Sequence, residues 1–410
     1  MSRQANASFE SEDRYGKKNA ELARLRTSAR LFDKPFYTLL SEPAETGCFS
    51  LDENRQFRHD SSQLRVFSPP DDWKKCSLDL RDGYHDMIKR DESKKEFLDD
   101  LLRWVICNQQ KFISRQNTQT VSNDKLLKPE VENKEIDVFH SLNRDFVCWR
   151  GLMARLLRIP YENRDDFLVA VIRFRGTYFM CEIDTEKKKQ EDKERTPVHE
   201  EMFAWGYKFE QYVTADKSSR VPDTKSPVNS NVSFCSVVRT RLGPHSILFG
   251  AEVDCEDADC KEGNVYVELK TSRVIESQKQ YESFCKFKLI SWWAQSVVVG
   301  IPRVVCGFRD DNGVVQTLEN YSIHEIPRIV KSCIRNPWKP TVCFNFLEAC
   351  LQFVKDNITT DDERCVYLLQ WQPGSDVICH RQGDDPEFHF LPDWFTAWAA
   401  WDAPLPQDHQ

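Results

Sequence analysis

The sequence predicts an α+β or α/β fold built on a mixed or largely antiparallel sheet. Short runs rich in Val, Ile, Phe and Tyr recur between turn-forming residues, as strands require. Segments with apolar residues at helical spacing stand among those runs and are not gathered in a separate half of the chain. Of the 410 residues, 40% are hydrophobic and 12% aromatic, enough apolar material for a large buried core.

The elements follow in chain order. Residues 1–25 are polar and charged and read as a mobile tail. Residues 116–136 (QNTQTVSNDKLLKPEVENKEI) read as a polar surface loop, and 141–159 (SLNRDFVCWRGLMARLLRI) as a helix. The segment 168–183, LVAVIRFRGTYFMCEI, predicts a hairpin turning at Arg175-Gly176. The charge run TEKKKQEDKERTP, 185–197, predicts a solvated loop, and 214–231, with its Pro, Ser, Asp and Lys, another. Helices are expected at 199–214, 278–298 and 341–355, and strands at 232–242, 246–255, 264–272 and 303–310. No internal repeat occurs, and the loops do not divide the composition. One domain is therefore expected over 26–402, with a short tail at 403–410.

Bulk properties exclude several classes. The formal net charge is −8 and the sequence pI about 5.7, so nucleic-acid binding would need a local basic groove in an acidic protein. The first residues carry no apolar run, so no secretory signal is expected. The nearest thing to a membrane span, 290–301, is short and contains Gln295. The 15 cysteines show no repeating spacing and are expected to be reduced core thiols. Cys255 and Cys260 lack a CxxC spacing and a nearby His, so no zinc site is expected there.

Residues 251–270, AEVDCEDADCKEGNVYVELK, hold the chemistry. On strands, Glu252 and Asp254 share one face, and so do Glu268 and Lys270. A turn at Gly263-Asn264 would bring the two runs together, so that three carboxylates and one ammonium converge. Like charges so close raise one another's pKa, and a divalent cation relieves them. Hard oxygen donors suit Mg²⁺ or Mn²⁺. Lys270 could then orient a water or steady charge growing on a phosphate. The competing reading is a solvated sheet edge with alternating charges, which would win for either tripeptide alone.

Other residues offer support, each with a plainer reading beside it. Glu210 lies at the margin of a stripe made by Phe203, Gly206, Phe209 and Val213; it is a metal ligand or a surface ion-pair partner. Gln295, on the side of Ser291 and Trp292, donates to a phosphate or satisfies a buried backbone group. Arg150 sits mid-helix, and Arg239 and Arg241 share a strand face. With Lys270, Arg273, Lys286 and Lys288 these could form a phosphate groove. Surface pairing is the other reading, and the favoured one for Lys286 and Lys288.

The motifs FVCWRG (146–151), GYKFEQY (206–212), RTRLGPHS (239–246), EVDC (252–255), YVELKTS (266–272) and WWAQS (292–296) occur in this order. GCFSLD (47–52), CGFRD (306–310) and FLPDW (390–394) accompany them. Together they resemble the decapping exoribonuclease family, closest to its animal branch, from about residue 45 to about residue 395. The resemblance implies an α+β fold of mixed sheets flanked by helices, with a deep metal-containing pocket, related to acid-x-Lys nucleases. It implies hydrolysis at RNA 5′ ends: release of pyrophosphate from triphosphate ends, of unmethylated caps and of NAD caps, then 5′→3′ digestion of the monophosphate chain.

On the same resemblance, Glu210, Asp254, Glu268 and the Leu269 carbonyl are expected to hold Mg²⁺ or Mn²⁺, as two ions with substrate bound, and Glu252 to act through water. Lys270, Glu252 and Gln295 are the catalytic set. Arg150, Glu210, Lys270 and Gln295 meet the substrate, with Arg239 and Arg241 as further candidates. A monomer away from membranes is expected, nuclear with cytoplasmic presence as a further expectation, its protein partners left open. The short acidic loop at 255–265 and the charged 185–197 segment depart from the family and bear on substrate preference. A DNA nuclease using the same site, or a non-catalytic RNA 5′-end binder or exonuclease partner, are the alternatives.

Overall fold

The apolar runs pair into two sheets. The computed structural model describes residues 21–36, 38–112, 142–261 and 265–398. Its strands are β1 Glu21–Leu25, β2 Ala44–Leu51, β3 Phe57–Arg58, β4 Val66–Phe67, β5 Leu78–Asp79, β6 Phe146–Trp149, β7 Phe167–Phe174, β8 Thr177–Ile183, β9 Thr214–Ala215, β10 Ser233–Leu242, β11 His245–Glu252, β12 Cys255–Glu256, β13 Tyr266–Arg273, β14 Arg303–Arg309, β15 Val314–Ser322, β16 Val366–Trp371 and β17 Val377–Gly383. Its helices are α1 Ala29–Phe32, α2 Asp99–Cys107, α3 Arg150–Arg158, α4 Glu186–Lys193, α5 Pro197–Val213, α6 Gln278–Ser283, α7 Leu289–Val297, α8 Ile326–Cys333, α9 Pro340–Asn357 and α10 Asp393–Trp398.

Ten strands form one sheet in the order β1-β17-β16-β7-β8-β6-β11-β10-β2-β3, and seven form the other, β5-β15-β14-β13-β12-β4-β9. Most neighbours are antiparallel, but β6 runs parallel to β8 and β11, β13 parallel to β14, and β12 parallel to β4. The class is α+β with mixed sheets, as expected. The largest core cluster joins residues of both sheets, such as Phe249 and Cys306, through Met153 of α3, Trp293 of α7 and Phe346 of α9. The far face of the large sheet is covered by α2 through Leu101, Leu102 and Val105. The far face of the small sheet is covered by α5, through Trp205, Phe209 and Val213.

The hairpin forms where expected, and Arg175 and Gly176 both take positive φ, 52° and 78°. Two residues with positive φ make the turn whose twist matches the flanking strands. The helix expected over 141–159 begins later. Phe146 and Cys148 point into the central cluster while Val147 points into the one beyond the sheet. That alternation belongs to a strand buried on both faces, which periodicity alone does not separate from a buried helix. Arg150 therefore opens α3 and does not sit mid-helix.

Other expectations are corrected as well. The charged segment 185–197 is not a loop: α4 forms over Glu186–Lys193. Thr185 accepts from the Lys188 N–H, and Lys188 reaches Asp192 one turn on at 2.9 Å. Of the tail expected over 1–25, Glu21–Leu25 instead pair with β17 as β1, and residues 1–20 lie outside the described residues. Phe203 is 61% exposed, and the buried stripe of α5 runs through Ala204, Trp205, Phe209 and Val213. The 278–298 helix is interrupted by a π-helical turn at Phe284–Lys288. Residues 214–231 form a loop beyond the two residues of β9. The 116–136 loop, the Gly263-Asn264 turn and the tail at 403–410 lie outside the described residues.

Gly307 of β14 explains how closely α5 seats on the small sheet. A Cβ there would come within 2.6 Å of the Phe209 ring, so only a residue with no side chain admits this approach. Gly307→Ala is expected to cost about 1–3 kcal/mol through overpacking. Thermal unfolding of the variant beside the wild type checks this, with a lowered midpoint expected.

Candidate active site

Strand β13 sets the centre of the site. Val267 and Leu269 face α5 and pack with Phe209, which leaves Glu268 and Lys270 on the opposite face. Arg150 reaches the same point from the large sheet. Trp149 of β6 lies level with Gly250 of β11, so the next residue stands beside the end of β11. Arg150 Nη1 donates to Glu268 Oε2 at 2.7 Å, and Lys270 Nζ donates to Glu268 Oε1 at 2.5 Å. Glu268 is only 1% exposed. Burial alone would push its carboxyl up, but the Arg150 guanidinium and the Lys270 ammonium outweigh burial and hold it down to about 2.

Asp254 arrives differently from expected. Strand β11 ends at Glu252, and the chain crosses from the large sheet to the small one through Val253 and Asp254. The two carboxylates therefore do not share a strand face. Val253 is the reason for the crossing point, since it packs with Leu64 and Phe234 in a cluster of its own. Cys255 pairs with Val267, so Asp254 stands beside the next residues of β13 and its Oδ2 accepts the Leu269 N–H at 2.5 Å. A strand residue sends its N–H and C=O to the same edge, so the Leu269 carbonyl also faces the Asp254 side.

Burial, then the charge of Glu268, raises the Asp254 carboxyl to about 7, against the pull of Lys270. Glu210 of α5 is raised well above the ordinary carboxylate range, first by burial and then by Asp254 and Glu252. Glu252 closes the group from the end of β11 and is exposed. Gln295 of α7 has a buried Oε1 with no hydrogen-bond partner among the described residues.

The structure thus brings Arg150, Glu210, Glu252, Asp254, Glu268 and Lys270 into one electrostatic group. It does not bring in Arg239 and Arg241. The cross-strand partner of Glu252 is Cys235, and these two arginines lie farther along β10, roughly 14 and 20 Å away at strand rise. They are exposed beside Arg144, away from the carboxylates. Arg273 pairs with Asp311 at 2.6 Å, and Lys286 sits over the Phe287 ring at 4.9 Å.

Sequence reading missed Tyr207, one turn before Glu210. Its hydroxyl is pushed up to about 12 by burial and then by Glu252 and Glu210. The three-residue helical spacing from Glu210 was a usable signal. It also missed a cavity of about 760 Å³ that touches the site through Trp149, Gly151 and Tyr207. The four carboxylates do not line that cavity, and its six lysines and arginines are matched by six carboxylates. Arg195 with Glu92 at 3.2 Å and Lys89 with Glu200 at 3.4 Å are examples. The cavity therefore offers no excess positive charge for a phosphate, whereas Arg150 and Lys270 each keep N–H donors beyond the one spent on Glu268.

Among the described residues, no three His, Cys, Asp or Glu side chains stand close enough to hold a metal ion as they are. The partners explain this: both Glu268 oxygens are taken by cations, and one Asp254 oxygen by the Leu269 N–H. The donor chemistry nevertheless fits a hard divalent cation. Asp254 and Glu210 are carboxylates with too little positive charge near them, and such a cation would complete the set.

The sequence matches the family described as RAI1-like PD-(D/E)XK nuclease over residues 41–396. The chain is 39% identical to the Decapping and exoribonuclease protein of Bos taurus over 387 residues, 93% of this chain and 91% of that one. Its human counterpart is 38% identical, with the same shares of each chain covered. Among solved structures, Scheffersomyces stipitis Rai1 in complex with (3′-NADP)+ and calcium ion superposes with a TM-score of 0.72 at 25% identity, covering 89% of this chain and 98% of that one.

The raised Asp254 carboxyl carries a pH consequence. Its ordinary value is 3.8 and its folded value about 7. Between these the folded protein keeps a proton that the unfolded chain has lost, so stability falls as pH rises through that window. Asp254→Asn is therefore expected to raise the melting temperature of the metal-free protein, by more at pH 8 than at pH 5. Unfolding scans at both values check it; equal shifts would contradict it.

Proposed function

The chain belongs to the RAI1-like PD-(D/E)XK nuclease family, and on that premise we propose that it is a metal-dependent hydrolase of RNA 5′ ends. It removes incomplete caps, NAD caps and 5′ pyrophosphate and then degrades the RNA 5′→3′. The observation that carries this reading is Glu268 held between Arg150 and Lys270, with Asp254, Glu210 and Glu252 around it. Relatives named for decapping and exoribonuclease activity support it, as does a relative seen with (3′-NADP)+, a ligand of the NAD-cap type.

In this reading Glu210, Asp254, Glu268 and the Leu269 carbonyl hold Mg²⁺ or Mn²⁺, two ions with substrate bound, and Glu252 reaches them through water. Such an ion supplies positive charge to the attacked phosphate and makes a water more acidic. The protein's own groups do the rest. Arg150 spends one guanidinium N–H on Glu268, which leaves others for a substrate 5′ phosphate. Lys270 is fixed by Glu268 at the level of the scissile phosphate, where its ammonium steadies developing negative charge. The Gln295 amide, with its unpartnered oxygen, accepts from the attacking water, or its N–H donates to a phosphate oxygen. One site serves every activity because the attacked phosphate is the same and only the leaving group changes.

The proposal includes one catalytic domain that takes in β1 and so starts before the expected residue 26, action as a monomer, and a nuclear location with cytoplasmic presence as well. Among the described residues no helix is long and apolar enough to cross a membrane. The reading is tested with 5′-labelled triphosphate, NAD-capped and monophosphate RNA, beside DNA of the same sequence. RNA is expected to be cleaved in preference to DNA, since RNA readers use the 2′-OH. Equal cleavage of DNA would favour a general nuclease, and absence of turnover would favour a binder. Glu252→Ala combined with Asp254→Ala is expected to abolish all activities together. A double variant that kept 5′→3′ digestion while losing decapping would contradict the single site.

A further inference from the structure

We propose that Lys288 holds a second phosphate of the substrate, next to the scissile one, from the same helical face that presents Gln295. This rests on the nucleolytic reading of the site. Within 288–296, Leu289, Ile290, Trp292, Trp293, Ala294 and Ser296 are buried. The residues left out of the core are Lys288, Ser291 and Gln295, which recur at three and four residues and so share one face. Lys288 stands about 10 Å along the helix axis from Gln295. It closes the π-helical turn Phe284–Lys288, and such turns widen a helix locally and are found often at functional sites.

The surroundings of Lys288 point the same way. The residue is exposed, and partial burial of its ammonium, the largest influence on it, holds it below the ordinary lysine range. The groups it feels are the Cys306 thiol, the Arg309 guanidinium and the Lys270 ammonium. Cys306 is the cross-strand neighbour of Lys270, so Lys288 lies over the catalytic strand pair. Among the described residues no carboxylate lies within ion-pair distance of it, whereas Arg273 has Asp311 and Arg303 has Asp257. Arg309, on the α5 side of the same sheet, lies over the Trp205 ring at 4.4 Å. A partly desolvated ammonium with Lys270 as a neighbour and, among the described residues, no carboxylate at ion-pair distance is unfavourable without an anion, and a substrate phosphate supplies one. That phosphate is either the next phosphodiester of the RNA chain or a phosphate of the 5′ leaving group.

The test compares wild type, Lys288→Ala and Lys288→Arg on monophosphate and triphosphate RNA of one sequence at several salt concentrations. Lys288→Ala is expected to raise KM about tenfold with kcat changed less than about twofold, and Lys288→Arg to restore most of the loss. The slope of log KM against log salt should fall by about 0.7, as for one phosphate contact to a single strand. An effect on both RNAs assigns the phosphate to the chain; an effect on triphosphate RNA alone assigns it to the leaving group. Unchanged KM and salt slope on both, with the wild type active, overturns the assignment of Lys288 alone. A wild type that cleaves no RNA overturns the underlying reading of the site and this assignment with it.

Discussion

The site depends on one buried carboxylate with a cation on each oxygen. Glu268 belongs to the small sheet, and so does Lys270, but Arg150 comes from the helix that follows a strand of the large sheet. Removing a carboxylate from water costs several kcal/mol unless partners satisfy it, and one that loses a partner costs about 3–5 kcal/mol. The Arg150–Glu268 contact therefore joins the two sheets where the chemistry is proposed to occur. It also sets apart one carboxylate that stays ionised under all ordinary conditions, while Asp254 and Glu210 around it tend to hold protons.

That division follows from geometry more than from residue type. Glu268 faces two cations directly. Asp254 has one backbone N–H, and Glu210 feels mostly other carboxylates. The imbalance favours a divalent cation, and it also means that such an ion must compete with protons at Asp254 and with Lys270 and Arg150 at Glu268. Proton release on metal uptake follows from the same balance.

Much of the site was legible before any fold was known. Acid-x-Lys on β13 and the carboxylates upstream were visible because strand alternation places Glu268 and Lys270 together whatever the tertiary structure. What could not be read was the path between them. Nothing in EVDC shows that the strand ends at Glu252 and that Val253 anchors a crossing between sheets. Phe146-Val147-Cys148 fits a buried helix and a doubly buried strand equally well, and only the two clusters on either side decide. Arg239 and Arg241 have the right chemistry for phosphate, and register alone removes them. The α4 charge run looks like a loop by composition, whereas its capping Thr185 and its turn-spaced ion pairs make it helical.

The central claim is that Lys270 acts on the substrate and is more than a counter-ion for Glu268. Calorimetric Mn²⁺ titration beside single-turnover cleavage, on wild type and Lys270→Ala, tests it most directly. Removing the ammonium frees a Glu268 oxygen and a nearby positive charge, so Mn²⁺ affinity should be equal or tighter. Cleavage should fall by roughly 100-fold or more, because the charge growing on the phosphate loses its donor. A variant that binds Mn²⁺ normally and cleaves at a near-normal rate would contradict the account and leave Lys270 a structural partner of Glu268.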